Sequence, residues 1–299
     1  MKRLLPTLLV VLCVFQLNAQ NYFEKFKEYS NNRDTIRQRE LLEKWENDHP
    51  KDAELYTSLF NYYFAKSRNE VVLLTSGKPP KGEKKVLLVK DSLNKVAGFI
   101  GSRIDYEQSN LKKAFESIET GIELYPNRLD MRFGKIYVLG QIKDWRNFTD
   151  EIIKTVNYSV INKNQWTWTL NESRGDADVF FLGALQDYQM QLYNTMDDAL
   201  LKNMQEIANA VLNHYPKHIE SLSNLSIAFL VEKNFEKALQ PLLKAEKLNP
   251  HDFIVLNNIA YAYREMKNNK KALEYYQKVL KYGDQQAKTT AEQEINRLK

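Results

Sequence analysis

The chain has 299 residues, of which 43% are hydrophobic and 27% are charged, a composition typical of a soluble globular protein rather than of a disordered one. Its net charge of +5 comes from interspersed charges of both signs, and this lack of a basic cluster argues against a nucleic-acid-binding surface. The single cysteine, Cys13, excludes an intramolecular disulfide.

Residues 1–20 have the pattern of a secretory signal peptide. Lys2 and Arg3 precede an apolar run over 8–15, and the small residue Ala19 follows it. The run is too short to span a bilayer, although an N-terminal membrane anchor is the alternative interpretation. Cleavage after Ala19 would remove the two basic residues and lower the net charge from +5 to about +3. The mature chain would then be periplasmic or secreted, without cysteine and without a stable membrane span.

The region from 22 to 124 is predicted to form two helical hairpins, the second of them interrupted. Apolar residues at helical spacing predict a first hairpin over 22–49, then a helix over 53–66 with its partner over 111–124. An insertion at 68–109 separates these partners and carries three β-prone runs, at 71–74, 85–89 and 96–100, so one or two β-hairpins are expected. The insertion is either a lid or partner-docking edge, or a decoration packed on the helices.

A second insertion, at 158–177, lies between a third predicted hairpin over 129–157 and a degenerate fourth over 179–216. It contains Trp166 and Trp168, whose indole rings can stack on a ligand such as a sugar or a peptide ring. The alternative is a hydrophobic plug over the helices, which is favoured because aromatic side chains are chiefly packing residues.

Residues 219–282 contain two tandem copies of one pattern. Pro216 and Pro250 stand 34 residues apart, as do Ala238 and Ala272. A fixed period of this length is typical of stacked repeats, in which each unit is one supersecondary structure. Each copy has two stretches of apolar residues at helical spacing with a polar break between them, which predicts a helix, a turn and a helix. Such a hairpin buries its apolar face only against neighbouring hairpins.

This pattern resembles the tetratricopeptide repeat (TPR). In that family the first helix carries a bulky residue, a leucine, a small residue and an aromatic residue. The second helix carries an alanine, an aromatic or large residue and another small residue, and a proline closes the unit. The first copy has Leu222, Leu225, Ser226, Phe229, Ala238, Leu242, Ala245 and Pro250 at these places. The second copy has Leu256, Ile259, Ala260, Tyr263, Ala272, Tyr276 and Val279, with Asp284 in place of proline.

The resemblance implies an all-α solenoid of about six helical hairpins, with a polar capping helix near 285–298 and a small β-rich insertion. It divides the chain into a signal peptide at 1–20, divergent hairpins with both insertions at 21–218, and two regular repeats with the capping helix at 219–299.

The resemblance also implies a binding groove lined by the first helices of the hairpins. The groove-facing places of the family are occupied in this chain by Asn61, Tyr137, Asn224, Asn257, Asn258, Tyr261 and Arg264. A carboxamide can donate to and accept from a peptide backbone, and Arg264 can grip a carboxylate with two hydrogen bonds. The other basic residues of the family's carboxylate clamp are mostly absent. In the alternative interpretation, the asparagines only hold neighbouring helices together.

No group of residues indicates catalysis. The four histidines, His49, His214, His218 and His251, are dispersed, and no phosphate-binding glycine loop, nucleophile elbow or zinc-hydrolase motif occurs. No enzyme activity, metal site or cofactor is therefore expected. The sequence predicts a non-enzymatic adaptor that binds a protein or peptide, of unknown identity, outside the cytoplasm. The alternative is a glycan- or small-ligand-binding protein that uses the tryptophan-containing insertion as a lid.

Pro241 falls inside the second helix of the fifth predicted hairpin. Proline removes a helical hydrogen bond and clashes with the preceding turn, so a kink or a late start of this helix is expected. A straight helix that begins by Phe235 would contradict this expectation.

Overall fold

The computed structural model describes residues 21–76 and 87–298, so the predicted signal peptide at 1–20 lies outside the described residues. The described part of the chain contains thirteen α-helices and one three-stranded sheet. The helices are a segment that includes residues 21–31 (α1), Thr35–Asp48 (α2), Ala53–Ser67 (α3), Gln108–Leu124 (α4), Leu129–Gln141 (α5), Trp145–Ile161 (α6), Ala177–Tyr193 (α7), Leu201–His214 (α8), Ile219–Val231 (α9), Phe235–Leu248 (α10), Phe253–Glu265 (α11), Asn269–Tyr282 (α12) and Gln285–Leu298 (α13). The strands are Arg68–Thr75 (β1), Leu87–Lys90 (β2) and Val96–Tyr106 (β3).

The predicted fold is confirmed: helical hairpins follow one another along the chain, a small sheet interrupts one of them, and α13 is the predicted C-terminal helix. The chain forms two compact units. One contains the described residues up to Val138 together with Trp166–Ser173, and the other contains Leu139–Gln165 and the residues from Arg174 onwards. The predicted boundary at 218 between divergent and regular repeats stays a prediction.

The turns inside four hairpins share one geometry, which the sequence specifies locally. The second residue after the first helix is basic and has a positive φ, between 56° and 61°, and it is followed by Asp or Asn. The N–H of that Asp or Asn donates to the carbonyl five residues earlier, and its side chain accepts from the N–H three residues later. One residue therefore closes the first helix and caps the second. The four pairs are Arg33-Asp34, Lys143-Asp144, Lys233-Asn234 and Lys267-Asn268.

Small residues allow the helices of the last two hairpins to pack closely. Ala238, Ala245, Ala260 and Ala272 are all completely buried, at places that the repeat pattern reserves for small side chains. The aliphatic and aromatic residues of the same pattern fill the space around them, including Tyr276 at 2% exposure. The apolar cluster continues into α13, so each hairpin buries its apolar face against its neighbours within this unit, as the repeat requires.

Pro241 does not delay its helix, and the expectation of a late start is wrong. α10 begins at Phe235, where Asn234 accepts a hydrogen bond from the N–H of Lys237, and it continues through Pro241 to Leu248. The side-chain cap and the burial of Pro241 stabilise the helix and offset the hydrogen bond that proline cannot donate.

The β-rich insertion connects the two helices of one hairpin in the first unit. β1 begins at Arg68, directly after α3, and Glu107 accepts hydrogen bonds from the first N–H groups of α4. The strand order is β1-β3-β2 and both pairings are antiparallel. Gly98 is required in β3 because a Cβ there would lie 2.6 Å from the carbonyl oxygen of Thr75. The insertion predicted at 68–109 is thus a sheet between α3 and α4, which pack against each other.

Candidate functional site

The structure brings four of the predicted site residues together on α11. Asn257, Asn258, Tyr261 and Arg264 follow one another at helical spacing, so they share one side of the helix, which we name the α11 face. All four are half-buried. Within the described residues, neither Asn257 nor Asn258 makes a side-chain hydrogen bond, so two carboxamides are available on this face.

An open cleft adjoins the α11 face. It has a volume of about 260 Å³ and lies between the start of α11 and the start of α13. Its apolar lining comes from Phe253, Ile254 and Ala287, and its polar lining comes from Asn257, Asp284, Gln286 and Thr290. Ile254 is 56% exposed, so an apolar side chain faces the solvent beside the carboxamide of Asn257.

Arg264 is already paired inside the protein. Its Nη2 lies 2.6 Å from Oε1 of Glu265, its Nη1 bonds Glu294 of α13, and its guanidinium carbon lies 4.8 Å from the ring centroid of Tyr261. Burial opposes its charge, but the hydrogen bonds to Glu265 and Glu294 more than offset this effect and raise the pKa of Arg264. A ligand carboxylate would therefore have to displace two protein carboxylates.

Asn224, the fifth predicted residue of the second unit, lies away from the surface. Its side chain is 1% exposed, and its Nδ2 donates to Oε1 of Gln186 at 2.6 Å. Gln186 is on α7 and Asn224 is on α9, so this hydrogen bond joins two helices, as the alternative interpretation of the asparagines requires. The remaining two predicted residues belong to the first unit: Asn61 is exposed on α3, and Tyr137 is 56% exposed on α5.

The tryptophans of the second insertion lie in Trp166–Ser173, a segment of the first unit that we name the strap. Trp166 is 1% exposed, and the guanidinium carbon of Arg132 lies 5.9 Å from its ring centroid. Trp168 is half-buried and meets Phe133 edge-on, with the ring centroids 6.5 Å apart. Of the two interpretations of this insertion, ligand stacking and a hydrophobic plug, this packing agrees with the plug. Stacking of a ligand on these rings stays a prediction.

A buried ion-pair network, centred on Arg128, anchors the strap. The Arg128 side chain is completely buried, with Nη1 2.6 Å from Oε1 of Glu54 and Nη2 2.7 Å from Oδ2 of Asp130. The same Oε1 of Glu54 accepts a 2.7 Å hydrogen bond from the backbone N–H of Leu170 in the strap. Burial opposes the charge of Arg128, but hydrogen bonds to Asp130 and Glu54 more than offset it and raise its pKa.

Sequence reasoning missed this network. One local signal could have pointed to it, because the residue two places after the proline between hairpins is usually a helix cap. Asp52, His218 and Asp252 occupy this place and accept hydrogen bonds from backbone N–H groups. Arg128 occupies it before α5, and an arginine side chain cannot accept a hydrogen bond. An arginine at this place indicates that the first backbone N–H groups of α5 donate to acceptors elsewhere in the protein.

The histidines have separate environments. Nδ1 of His218 caps α9, and burial lowers the pKa of this imidazole although the charge of Glu220 opposes that effect. His214 lies 2.9 Å from Oδ1 of Asn157, and His251 packs on the ring of Tyr282. In residues 21–76 and 87–298, no three His, Cys, Asp or Glu side chains come together in a way that could hold a metal ion. No helix in this part of the chain has the length and hydrophobicity that a membrane span requires.

The sequence matches no protein-family model and no curated protein. Among solved structures, the chain is similar to YrrB, described as a TPR protein with an unusual peptide-binding site, at 13% identity over 84% of this chain and 97% of that one, with a TM-score of 0.41. It is similar to the C-terminal part of a TPR repeat-containing protein from Cytophaga hutchinsonii at 14% identity over 87% and 78%, with a TM-score of 0.41. A third is PilW, described as a type IV pilus biogenesis factor, at 9% identity over 91% and 97%, with a TM-score of 0.40.

The fold type is read from the chain itself. Its helical hairpins, its 34-residue period and its completely buried alanines at the helix crossings are those of hairpins of the tetratricopeptide-repeat type.

Proposed function

We propose that the protein is a non-enzymatic adaptor that binds an extended peptide segment of a partner protein through the α11 face and the adjoining cleft. One observation carries this proposal. Asn257 and Asn258 present two carboxamides side by side, without hydrogen-bond partners among the described residues, next to a cleft of about 260 Å³. Half-buried carboxamides without protein partners are hydrated, and a peptide backbone can replace that water while it satisfies the same donors and acceptors.

The chemistry of this surface fits a peptide backbone. Each carboxamide can donate to a carbonyl and accept from an N–H of an extended chain. The apolar wall formed by Phe253, Ile254 and Ala287 suits one apolar side chain of that peptide. The cleft also contains Asp284, and Arg264 is neutralised by Glu265 and Glu294. The ligand is therefore an internal peptide segment rather than a free terminal carboxylate.

The partner belongs to the cell envelope or to the extracellular space in this proposal. The support is the basic, apolar and small-residue pattern of residues 1–20, which is typical of an exported chain. The glycan-binding alternative has less support, because Trp166 is buried and leaves only the half-buried Trp168 as a stacking surface.

The proposal is tested by capture of partners from a native envelope extract, followed by affinity measurements on the peptide segment that binds. Replacement of Asn257 and Asn258 by alanine is expected to weaken that peptide by about 10- to 100-fold, because two hydrogen-bonding groups are lost. The matched control is Gln277→Ala, which removes an exposed carboxamide from α12 of the same hairpin. Equal affinity of the double variant and the control would contradict the proposal.

A second comparison tests the ligand class. The peptide is measured as an internal segment with blocked ends and as a segment that ends in a free carboxylate. We expect the blocked peptide to bind at least as tightly, since Arg264 is not available to a carboxylate. A strong preference for the free carboxylate, lost in Arg264→Met, would show that the intramolecular pairs of Arg264 open for the ligand.

A further inference from the structure

The sheet of the first unit exposes an unusual concentration of aliphatic side chains. Seven of them, between 41% and 74% exposed, come from its three strands and from the turn between β2 and β3. They are Val72, Leu74, Leu87, Leu88, Leu93, Val96 and Ile104. Single exposed apolar residues are common on proteins, but a contiguous group marks a surface that is covered in use.

The register places most of these strand residues on one face of the sheet and Leu88 on the other. Leu74 and Leu87 both lie opposite Ile100 of β3, so they share one face with it. Leu88 lies opposite Phe99, which puts it on the other face, and it is still 48% exposed. A flat protein partner would cover one face only. A fluid apolar medium can cover both.

The turn at the far end of the sheet has a defined conformation that exposes a leucine. The N–H of Asp91 donates to the carbonyl of Lys95 at 2.8 Å, and Oδ1 of Asp91 accepts from the N–H groups of Leu93 and Lys95 at 2.9 and 2.8 Å. Asn94 has a φ of 62°, as a tight turn requires. The result is a fixed loop with Leu93 74% exposed at its tip, and Lys90 and Lys95 on either side.

The charges around this loop favour an anionic surface. The carboxylate of Asp91 is occupied by backbone N–H groups, and Asp105, nearer the helices, is paired with Arg103 at 2.9 Å. Asp91 keeps its charge, but Lys90 and Lys95 outnumber it, so residues 87–96 carry a net charge of +1. Moreover, residues 87–96 contain no aromatic residue, arginine or methionine, the residue types that protein interfaces favour.

We propose that the tip of this sheet, residues Leu87–Val96, inserts its aliphatic side chains into the surface of an anionic phospholipid bilayer. Leu93 and Val96 enter the apolar boundary, while Lys90 and Lys95 remain among the headgroup phosphates. The sheet is thereby a peripheral membrane anchor. This inference does not depend on the peptide-binding role of the α11 face.

The first experiment reads the environment of the tip itself. The natural cysteine is removed by Cys13→Ser, and Leu93→Cys is labelled with an environment-sensitive fluorophore. A control protein carries the label at Val179→Cys, because Val179 is 72% exposed on α7. Vesicles containing phosphatidylglycerol should shift the emission of the label at 93 to the blue, and lipids brominated on their acyl chains should quench it. Neither effect should occur at 179 or with phosphatidylcholine vesicles. An unchanged spectrum at 93 would overturn the proposal.

The second experiment measures vesicle binding by flotation. Replacement of Lys90 and Lys95 by alanine is expected to weaken binding to phosphatidylglycerol vesicles by about 30-fold, and Leu93→Ser to weaken it by about tenfold. Val179→Ser should bind like the unmodified protein. Tip variants that bind vesicles normally would overturn the proposal. Failure of the unmodified protein to bind vesicles would also overturn it. If that protein instead forms a dimer that Leu93→Ser disrupts, the patch is assigned to a second copy of the chain.

Discussion

The starts of α5 and α11 occupy the same place in the repeat, yet they are stabilised in opposite ways. Each follows a proline by three residues, Pro126 and Pro250. At α11, the carboxylate of Asp252 accepts from the first free N–H groups, at 3.0 and 3.1 Å. At α5, the equivalent residue is Arg128, and the N–H of Leu129 donates instead to the carbonyl of Thr167 in the strap, at 3.0 Å.

This difference shows how one repeat position can either complete its own helix or hold an insertion. The cap at Asp252 is a local device that involves residues within three places of it. Arg128 instead joins its own repeat to Glu54, 74 residues earlier, and to the strap. A side-chain cap contributes about 1 kcal/mol, whereas removing one partner of a buried ion pair leaves an unpaired buried charge and costs several times more. The start of α5 therefore depends more strongly on one residue than the start of α11 does.

The largest expected effect comes from Arg128→Met. Loss of the guanidinium leaves the carboxylate of Glu54 buried at 5% exposure without its cation, which should destabilise the first unit by about 3–5 kcal/mol. Urea unfolding monitored by tryptophan fluorescence measures this loss. The double variant Arg128→Met with Glu54→Gln should recover part of it. The single variant Glu54→Gln is measured as well. If the loss in the double variant equals the sum of the losses in Arg128→Met and Glu54→Gln, the two residues are not coupled and the network does not anchor the strap.

A smaller loss is expected where the regular repeats depend on small residues. Ala272 is completely buried at a helix crossing, so Ala272→Leu should force the helices apart and cost about 1–3 kcal/mol. The control is Gln277→Leu at an exposed position of the same helix, which should change the unfolding free energy little. Equal stability of the two variants would mean that the crossing at Ala272 can relax.

Removal of the local cap should cost less again. Asp252→Ala deletes the acceptor for two N–H groups of α11 and is expected to lower the unfolding free energy by about 1 kcal/mol. Asp252→Asn keeps an acceptor oxygen and should be nearly neutral. A loss with Asp252→Ala as large as that with Arg128→Met would remove the contrast between the two helix starts.

The smallest effect is a pH dependence from the cap of α9. Nδ1 of His218 accepts from the N–H of Ser221, and protonation abolishes this acceptor. Burial lowers the pKa of His218 below its ordinary value of 6.5, so the unfolded chain binds the proton more readily than the folded chain. Its stabilising contribution is complete above pH 6.5 and declines as the pH falls below that value. Thermal unfolding between pH 5 and 8 should show this decline, and His218→Asn, a cap that does not titrate, should reduce it.

The regular repeats were predictable because their information is local. The alanines, the proline spacing and the basic-residue turns each act within one period of 34 residues, and the predicted helices follow from them. Pro241 is the exception, since the local rule predicted a kink or a late helix start, and the helix begins at Phe235 with a side-chain cap from Asn234.

The site was less predictable because it depends on distant partners. A positional rule placed Asn224 and Arg264 in a groove. Instead, Asn224 donates a hydrogen bond to Gln186, and Arg264 forms an ion pair with Glu294 of α13. No local pattern reports which side of α13 faces α11, and that orientation forms the cleft. The strap is a similar case, because its Leu170 bonds a carboxylate 116 residues earlier.

The most direct test of the contrast between α5 and α11 is hydrogen exchange in Arg128→Met and Asp252→Ala, followed by mass spectrometry. We predict that Arg128→Met exposes the strap and the first turn of α5 to fast exchange, because the buried pair and the Thr167 carbonyl hold them together. Asp252→Ala should speed exchange only in the first turn of α11. Unchanged protection of the strap and the start of α5 in Arg128→Met would contradict the account.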